Sequence, residues 1–194
     1  MNTVRSDAPY KTFAELIEYA KKNPGQVRIG HPGTGSVGDF CVQLISTLTG
    51  VELVPVPYTG AGPTIAALRG EHIEGIVSSL GALSPHIKAG AFRGIATSNR
   101  VPEFANIPTM RELGYQDELF GIWFGFLAPA GIAEDARKVL VGAIEQAVKA
   151  PAITARLAQL SIFQSYAGPE QTAAEIREEF RRVSTMARKT GLVK

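Results

Sequence analysis

The sequence VRIGHPGTGSVGDFCVQLISTLTG, residues 27–50, decides the fold class of this chain. The apolar run at its start is typical of a strand, and glycines at positions 33, 35 and 38 then interrupt the pattern. From position 40 to position 48, apolar residues recur at the spacing of one helix face. The stretch therefore predicts a strand, a glycine-rich loop and a helix. Free backbone N–H groups and the positive end of the helix dipole meet at such a loop, so it is a candidate anion site.

Composition excludes several classes of function. Of 194 residues, 45% are hydrophobic and 20% are charged, which is typical of a globular protein. The net charge of +2 comes from interspersed signs, without the basic stripe that nucleic acid binding requires. The single cysteine, Cys41, excludes an internal disulfide, and its apolar neighbours predict a buried thiol. No apolar stretch has the length of a membrane span, and the first residues have no signal-peptide core.

Helices and strands alternate along the first half of the chain. Thr12 and Glu15 have capping-box spacing and predict the start of a helix that ends at residues 23–25. After the opening stretch, the predicted strands are residues 53–58, 74–79 and 92–97, and the helices between them are residues 63–68 and 82–89. This repeat favours an α/β fold with a parallel or mixed sheet covered by helices.

The pattern changes at residues 99–117, where prolines and glycines predict a loop and a lobe boundary. Residues 120–128, FGIWFGFLA, predict a buried strand that includes Trp123, Phe124 and Phe126. Beyond it, the sequence predicts helices at residues 134–148, from 151 and from 169, and one strand at 162–166. The apolar faces of these helices need a sheet to cover, and too few strands are predicted to supply it.

Residues 33–38, GTGSVG, have the G-x-G-x-x-G spacing of dinucleotide-binding loops and lie between a predicted strand and a helix. The acidic residue that binds the ribose should end the next strand, whereas Glu52 stands at its start. A dinucleotide-binding enzyme with a Rossmann-type fold is therefore the alternative function. No metal site or catalytic constellation is predicted, because histidines 31, 72 and 86 are scattered and Ser36 lacks a nucleophile-elbow glycine. A loop that binds an anion without chemistry fits a receptor better than an enzyme.

Several stretches in a fixed order carry a resemblance to a known family. They are GTGS at 33–36, VPYTG at 56–60, HIKAG at 86–90, IPT at 107–109 with ELGY at 112–115, and WFG at 123–125 with APAG at 128–131. Through them, residues 4–194 resemble the solute receptors of tripartite tricarboxylate transporters, the Bug receptors. The resemblance implies a two-lobed periplasmic binding protein that needs no cofactor, captures a small organic acid and passes it to membrane permease subunits.

Relative to the family pattern, the chain is expected to start late. A signal peptide and roughly the first hundred residues, most of one lobe, are expected to be absent. On this basis residues 1–118 form a ligand-binding βα lobe, and residues 119–194 form a crossover strand and C-terminal helices of the other, incomplete lobe. A truncated chain of this kind leaves self-association through exposed helix faces as a further possibility.

The resemblance also implies a ligand site at the carboxyl ends of the predicted strands. Loop residues would donate hydrogen bonds to the ligand carboxylate, and residues at the ends of the next two strands would complete the site. For the serines, ordinary turn formation is the alternative. The expected ligand-binding residues are Gly33, Thr34, Gly35, Ser36, Asp39, Tyr58, Thr59, Ser78 and Ser79.

Two positions depart from the family pattern. Asp39 stands where the family usually has a histidine, and Ala67 stands where it usually has an aspartate. Asp39 either faces the cleft, where it would select a ligand with a donor or a positive group, or caps the helix together with Ser36. Both alternatives remain open from the sequence.

Overall fold

The computed structural model describes residues 1–115, 121–160, 162 and 164–189. Its backbone divides into two units, Met1–Ile122 and Trp123–Lys194. The strands of the first unit are β1 (Asn2–Arg5), β2 (Val27–His31), β3 (Leu53–Pro57), β4 (Gly75–Val77) and β5 (Phe92–Ala96). Its helices are α1 (Phe13–Lys22), α2 (Val37–Thr49), α3 (Ala61–Arg69), α4 (Leu80–Lys88) and a 3-10 turn at Pro102–Phe104. The helices of the second unit are α5 (Glu134–Lys149), α6 (Pro151–Gln159) and α7 (Pro169–Lys189).

The five strands form one mixed sheet in the order β3-β2-β4-β1-β5. β2 runs parallel to β3 and β4, whereas β1 runs antiparallel to both β4 and β5. The α/β fold is confirmed. The sequence did not predict β1, because its partners lie far along the chain: Asn2 pairs with Val77 on one side and Ala96 on the other.

Helix α1 begins where the capping residues predict. The Thr12 hydroxyl accepts a hydrogen bond from the Glu15 N–H at 3.2 Å, and the Glu15 carboxylate accepts one from the Lys11 N–H at 2.5 Å. The first bond satisfies a backbone donor that the start of a helix leaves without a partner, and the second ties the residue before the N-cap to the first turn. The buried face of α1 is the predicted one: Phe13, Leu16, Ile17 and Ala20.

Helices cover both faces of the sheet at close range. On one face, α3 and α4 pack over β4 and β5 around a buried cluster of Ala67, Leu68, Ile73, Ile76, Leu83 and Phe92. A Cβ at Gly30 would lie 2.6 Å from the Thr64 methyl group of α3. A Cβ at Gly38, in the first turn of α2, would lie 2.8 Å from the Val77 carbonyl oxygen. Side chains at either glycine would push a helix away from the sheet.

The amino ends of β2 and β4 are joined by an ion pair. The Arg28 guanidinium donates to both carboxylate oxygens of Glu74, at 2.7 and 2.9 Å. Burial alone would raise the pKa of Glu74, but the hydrogen bonds from Arg28 outweigh burial and lower the pKa below the ordinary 4.5. Nearby, burial raises the pKa of Tyr10 to about 12, and the Tyr10 hydroxyl donates to the Glu74 carbonyl oxygen.

Two predicted strands of the second unit are wrong. Residues 121–129 form no strand, and Trp123, Phe124 and Phe126 are 51%, 78% and 78% exposed rather than buried. The described residues of 162–166 also form no strand. A strand needs a neighbour to pair its N–H and C=O groups, and no strand of this unit is described. Position 120 lies outside the described residues.

The helices of the second unit were predicted with nearly correct bounds. Their apolar faces are largely exposed: Val139 of α5, Ile153 of α6 and Phe180 of α7 are 70%, 44% and 73% accessible. Among the described residues of this unit, Ala187 is the one buried apolar side chain. In the described part of the chain, no helix combines the length and apolar character needed to cross a membrane.

Candidate ligand site at the carboxyl edge of the sheet

Three helices begin at one edge of the sheet. Because β2, β3 and β4 are parallel, their carboxyl ends lie at the same edge, and α2, α3 and α4 follow them after short loops. Open α/β sheets bind ligands at this edge, where helix N-termini offer unpaired N–H groups. All the predicted site residues belong to these three loops and the first turn of α2.

The glycine-rich loop, residues 32–36, lies between the ends of β3 and β4. The Gly33 Cα approaches the Tyr58 carbonyl oxygen, which lies 3.8 Å from where a Gly33 Cβ would be. Within the loop, the Ser36 N–H donates to the Gly33 carbonyl oxygen at 3.2 Å. Gly35 has a φ of +74°, a left-handed conformation that glycine adopts without strain. The loop is therefore a tight, internally bonded turn.

Asp39 caps α2. The Ser36 hydroxyl, at the N-cap, accepts from the Asp39 N–H at 3.2 Å. One Asp39 carboxylate oxygen accepts from the Gly35 N–H at 2.8 Å, and the other accepts from the Gln43 side-chain amide at 2.8 Å. Asp39 is 7% exposed. Of the two alternatives for Asp39, the structure therefore has the cap. The Gly35 N–H, expected to donate to a ligand, donates to Asp39.

His31 lies directly beneath this cap, and sequence reasoning assigned it no role. It is 1% exposed, and its ring Nδ1 lies 2.9 Å from the Gly33 carbonyl oxygen. A carbonyl oxygen only accepts, so Nδ1 carries a proton. Nε2 lies 3.7 Å from the Asp39 carboxylate, beyond hydrogen-bond distance. The signal available in the sequence was alternation, since Val27, Ile29 and His31 share one face of β2.

The loop keeps two exposed donors open. Within the described residues, no acceptor is found for the N–H groups of Thr34 and Val37. Thr34 is exposed, and Val37 is 38% exposed. These groups lie at the positive end of the α2 dipole, where an anion or a hydrogen-bond acceptor is stabilised.

The loop after β3 carries Tyr58 and Thr59. The Tyr58 N–H donates to the His31 carbonyl oxygen at 3.0 Å, which extends the parallel pairing of β2 and β3. The Tyr58 ring packs against the buried cluster beneath α3 and α4, whereas Thr59 is exposed. Of these two, Thr59 therefore offers the more open polar side chain.

The loop after β4 carries the two serines. Ser78 is 7% exposed, and its N–H donates to the Met1 carbonyl oxygen at 3.3 Å. Ser79 is the N-cap residue of α4, but its hydroxyl makes no capping hydrogen bond. The first turn of α3, after Gly60, also has no side-chain cap. In contrast to α2, the starts of α3 and α4 are therefore uncapped.

Of two further positions, Asn2 lies at this edge and Ala67 does not. Asn2, at the start of β1, is 4% exposed, and its side-chain nitrogen has no hydrogen-bond partner among the described residues. Sequence reasoning missed it together with β1. Ala67 is 6% exposed and belongs to the buried cluster, so the second departure from the family pattern lies in the core.

Other kinds of site find no support in the described part of the chain. No group of three or more His, Cys, Asp or Glu residues there is arranged to hold a metal ion. An open groove of about 610 Å³ lies between the starts of α5 and α7, lined by Glu134, Arg137 and Pro169 among others, and contains none of the predicted site residues. A ribose-binding acid is also missing from the end of β3, where Pro57 precedes Tyr58.

Comparison with known proteins identifies the family. The sequence profile of the tripartite tricarboxylate transporter family receptor matches residues 2–192. The chain belongs to this receptor family. Protein BugT of Bordetella pertussis is 30% identical over 178 residues, which cover 91% of this chain and 55% of BugT. The chain therefore spans about half the length of this curated relative.

Solved receptor structures share the fold. One solved structure, named R. palustris Rpa4515 with adipate, is 26% identical in sequence and superposes with a TM-score of 0.88. The match covers 98% of this chain and 64% of the chain of that structure. MatC from Rhodopseudomonas palustris, solved with bound malate, is 27% identical in sequence and superposes with a TM-score of 0.82. The match covers 96% of this chain and 65% of the MatC chain. The resemblance to the Bug receptors is confirmed, and the dinucleotide alternative gains no support.

Proposed function

We propose that this chain is part of an extracytoplasmic receptor that captures a small organic acid for a tripartite tricarboxylate-type transporter. The proposal rests above all on one observation: the glycine-rich loop and the starts of α3 and α4 present open donors at one edge of a sheet in a chain of this family. Acid ligands in the two neighbouring structures, adipate and malate, support a carboxylate as the ligand class.

The proposed role is binding without chemistry. The donors that we assign to the ligand are hydroxyls and backbone N–H groups, which hold a carboxylate but transfer no proton or group to it. The ligand contacts we propose are Gly33, Thr34, Ser36, Tyr58, Thr59, Ser78 and Ser79. Release of the acid to membrane permease subunits and a periplasmic location follow from the family and form part of the proposal.

Isothermal titration calorimetry of the 194-residue chain with single organic acids tests the proposal. The panel contains adipate, malate, citrate, glutamate and benzoate, and we expect saturable heat with at least one of them. Replacing both Ser78 and Ser79 by alanine should weaken that binding roughly tenfold or more, because hydrogen bonds to a charged group are lost.

The matched control is Thr47→Ala, which removes an exposed hydroxyl from the last turns of α2, away from this edge. It should leave the affinity unchanged. Saturable NADH binding with no heat from any acid would favour the enzyme alternative instead. Light scattering on the same sample reports whether the chain is a monomer or self-associates.

A further inference from the structure

We infer that Asp39 is a specificity-determining residue: it fills the anion site of the glycine-rich loop from within, and so it disfavours a second carboxylate on the ligand. The inference rests on the proposed function and names the charge class of the acid. It predicts that the chain discriminates against a dicarboxylate, relative to a monocarboxylate of the same length.

The Asp39 carboxylate has hydrogen-bond partners inside the protein on both of its oxygens. Both carboxylate oxygens are used, one by the Gly35 N–H and one by Gln43, each at 2.8 Å. Gly35 therefore has no N–H to offer a ligand while the cap is in place. A ligand at the loop meets only the remaining exposed donors, the N–H groups of Thr34 and Val37.

The charge of Asp39 also acts on a ligand at this loop. The Asp39 carboxylate lies in the first turn of α2, where the helix dipole attracts an anion, and its two hydrogen bonds hold it there. Among the described residues, no Lys or Arg nitrogen lies within 4.0 Å of it, and its nearest basic group is His31 at 3.7 Å. A ligand carboxylate arriving at Thr34 would be repelled by this built-in anion, so the single carboxylate of a favoured ligand binds at the uncapped starts of α3 and α4.

Asp39 is also buried, which limits both its movement and its screening by solvent. At 7% exposure, with both oxygens bonded inside the turn, the carboxylate is not free to rotate into solvent. Repulsion acts through partly desolvated surroundings and is weakly screened by salt. A neutral acceptor on the ligand, such as a hydroxyl or a keto oxygen, can use the open N–H groups without this repulsion.

Titration of hexanoate and adipate into the unaltered chain and into Asp39→Asn tests the inference. These acids have the same carbon chain and differ by one carboxylate. Asparagine keeps an oxygen for the Gly35 N–H and removes the charge, and the Gln43 amide can turn over to accept from the new NH2 group, so both contacts of the turn can be kept. We expect Asp39→Asn to improve the affinity for adipate relative to hexanoate about fivefold, the size of one unit charge acting near the surface.

Glu52→Gln is the matched control. It also removes one negative charge, but Glu52 precedes β3 at the opposite edge of the sheet and is exposed. Its adipate-to-hexanoate ratio should equal that of the unaltered chain. An Asp39→Asn ratio equal to the Glu52→Gln ratio overturns the inference and leaves the proposed function standing. No saturable heat with either acid for any of the three proteins overturns both.

Amide hydrogen exchange supplies a test that needs neither a variant nor a ligand. In the unaltered chain, the Gly35 N–H should exchange at least about tenfold more slowly than the Thr34 N–H, which has no acceptor. Equal exchange rates for the two amides would mean that Asp39 does not keep its hydrogen bond from the Gly35 N–H in solution, and this result overturns the inference.

Discussion

The two units of this chain bury their apolar side chains to very different extents. In Met1–Ile122, a five-stranded sheet brings strands and helices together, and residues such as Leu68, Ile76 and Leu83 have 0% exposure. In Trp123–Lys194, three amphipathic helices carry equally clear apolar faces, yet Val139 of α5 and Phe180 of α7 are 70% and 73% exposed. Helical periodicity alone therefore forms helices in both units but a core in only one.

The difference shows what a sheet adds to an α/β protein. A helix buries a stripe, and a stripe needs a surface of matching shape to exclude water. The first unit supplies that surface from its own strands. Within the described residues, the second unit supplies none. The following substitutions compare the two units directly, beginning with the largest expected effect.

Truncating one leucine in each unit should give the largest difference in stability between the two units. Leu68→Ala in α3 removes a side chain with 0% exposure and should lower the free energy of unfolding by about 3 kcal/mol. Leu127→Ala, at 86% exposure, should change it by less than about 0.5 kcal/mol. Urea denaturation followed by far-ultraviolet circular dichroism measures both. Equal losses would mean that the second unit has a core of its own.

Two helical glycines provide the next comparison. Gly38→Ala should destabilise the first unit by about 2 kcal/mol, because the new Cβ would lie 2.8 Å from the Val77 carbonyl oxygen and backbone must move. Gly142→Ala in α5 meets no atom within 4 Å and should stabilise its helix by about 0.5–1 kcal/mol. Denaturation midpoints and helical ellipticity distinguish the two signs; a stabilising Gly38→Ala contradicts the close packing.

Substitutions at the helix N-caps should change stability by less, with a loss in the first unit and a gain in the second. Ser36→Ala removes the N-cap hydroxyl of α2 and should cost about 1 kcal/mol of stability. At the start of α5, Ala133 makes no side-chain cap, so Ala133→Ser should increase stability or helix content by a similar amount. Thermal melts of both variants check the signs, and a neutral Ser36→Ala would show that Asp39 alone holds the turn.

The smallest effect concerns acid pH. Because Arg28 holds the pKa of Glu74 below 4.5 in the folded chain, ionised Glu74 stabilises the fold above that value. The contribution is lost as pH falls through the lowered pKa. Glu74→Gln should therefore reduce the drop in unfolding free energy between neutral pH and about pH 3, by less than about 1 kcal/mol given the exposure of Arg28.

Glu145 in α5 is the control for this pH effect. The pKa of Glu145 is also lowered, by a hydrogen bond from Lys149, but the pair is exposed to solvent. Glu145→Gln should leave the pH dependence of stability unchanged. A change as large as that of Glu74→Gln would mean that exposed pairs matter as much as the pair that joins β2 to β4.

Local patterns predicted most of the elements because their causes are local. The cap at Thr12, the helix face of residues 40–48 and the apolar run of β2 are all set by neighbours a few residues apart. β1 escaped prediction because Asn2 pairs with residues near positions 77 and 96. Trp123 and Phe124 were misread because aromatic density indicates burial only where a partner surface exists.

The candidate site was predicted as a set of loops, but its internal contacts were not. Spacing placed Ser36 and Asp39 in one helical turn, and the structure confirms the cap. Spacing could not show that the carboxylate of Asp39 would take the Gly35 N–H, or that His31 would lie beneath it at 1% exposure. Both depend on how α2 packs against the sheet. Ligand contacts by the predicted residues stay predictions.

The position of β1 has a consequence for the order in which the sheet assembles. Among the strands that the structure describes, β5 pairs only with β1, and β1 in turn pairs with β4 on its other side. During synthesis, residues 2–5 emerge before residues 75–96, so β1 must wait for those residues before it can pair with β4 and β5. Pairing of such distant segments is slow relative to helix formation. Pairing of β1 with the sheet is therefore expected to be a late step in folding, after the elements from β2 to α4 have formed.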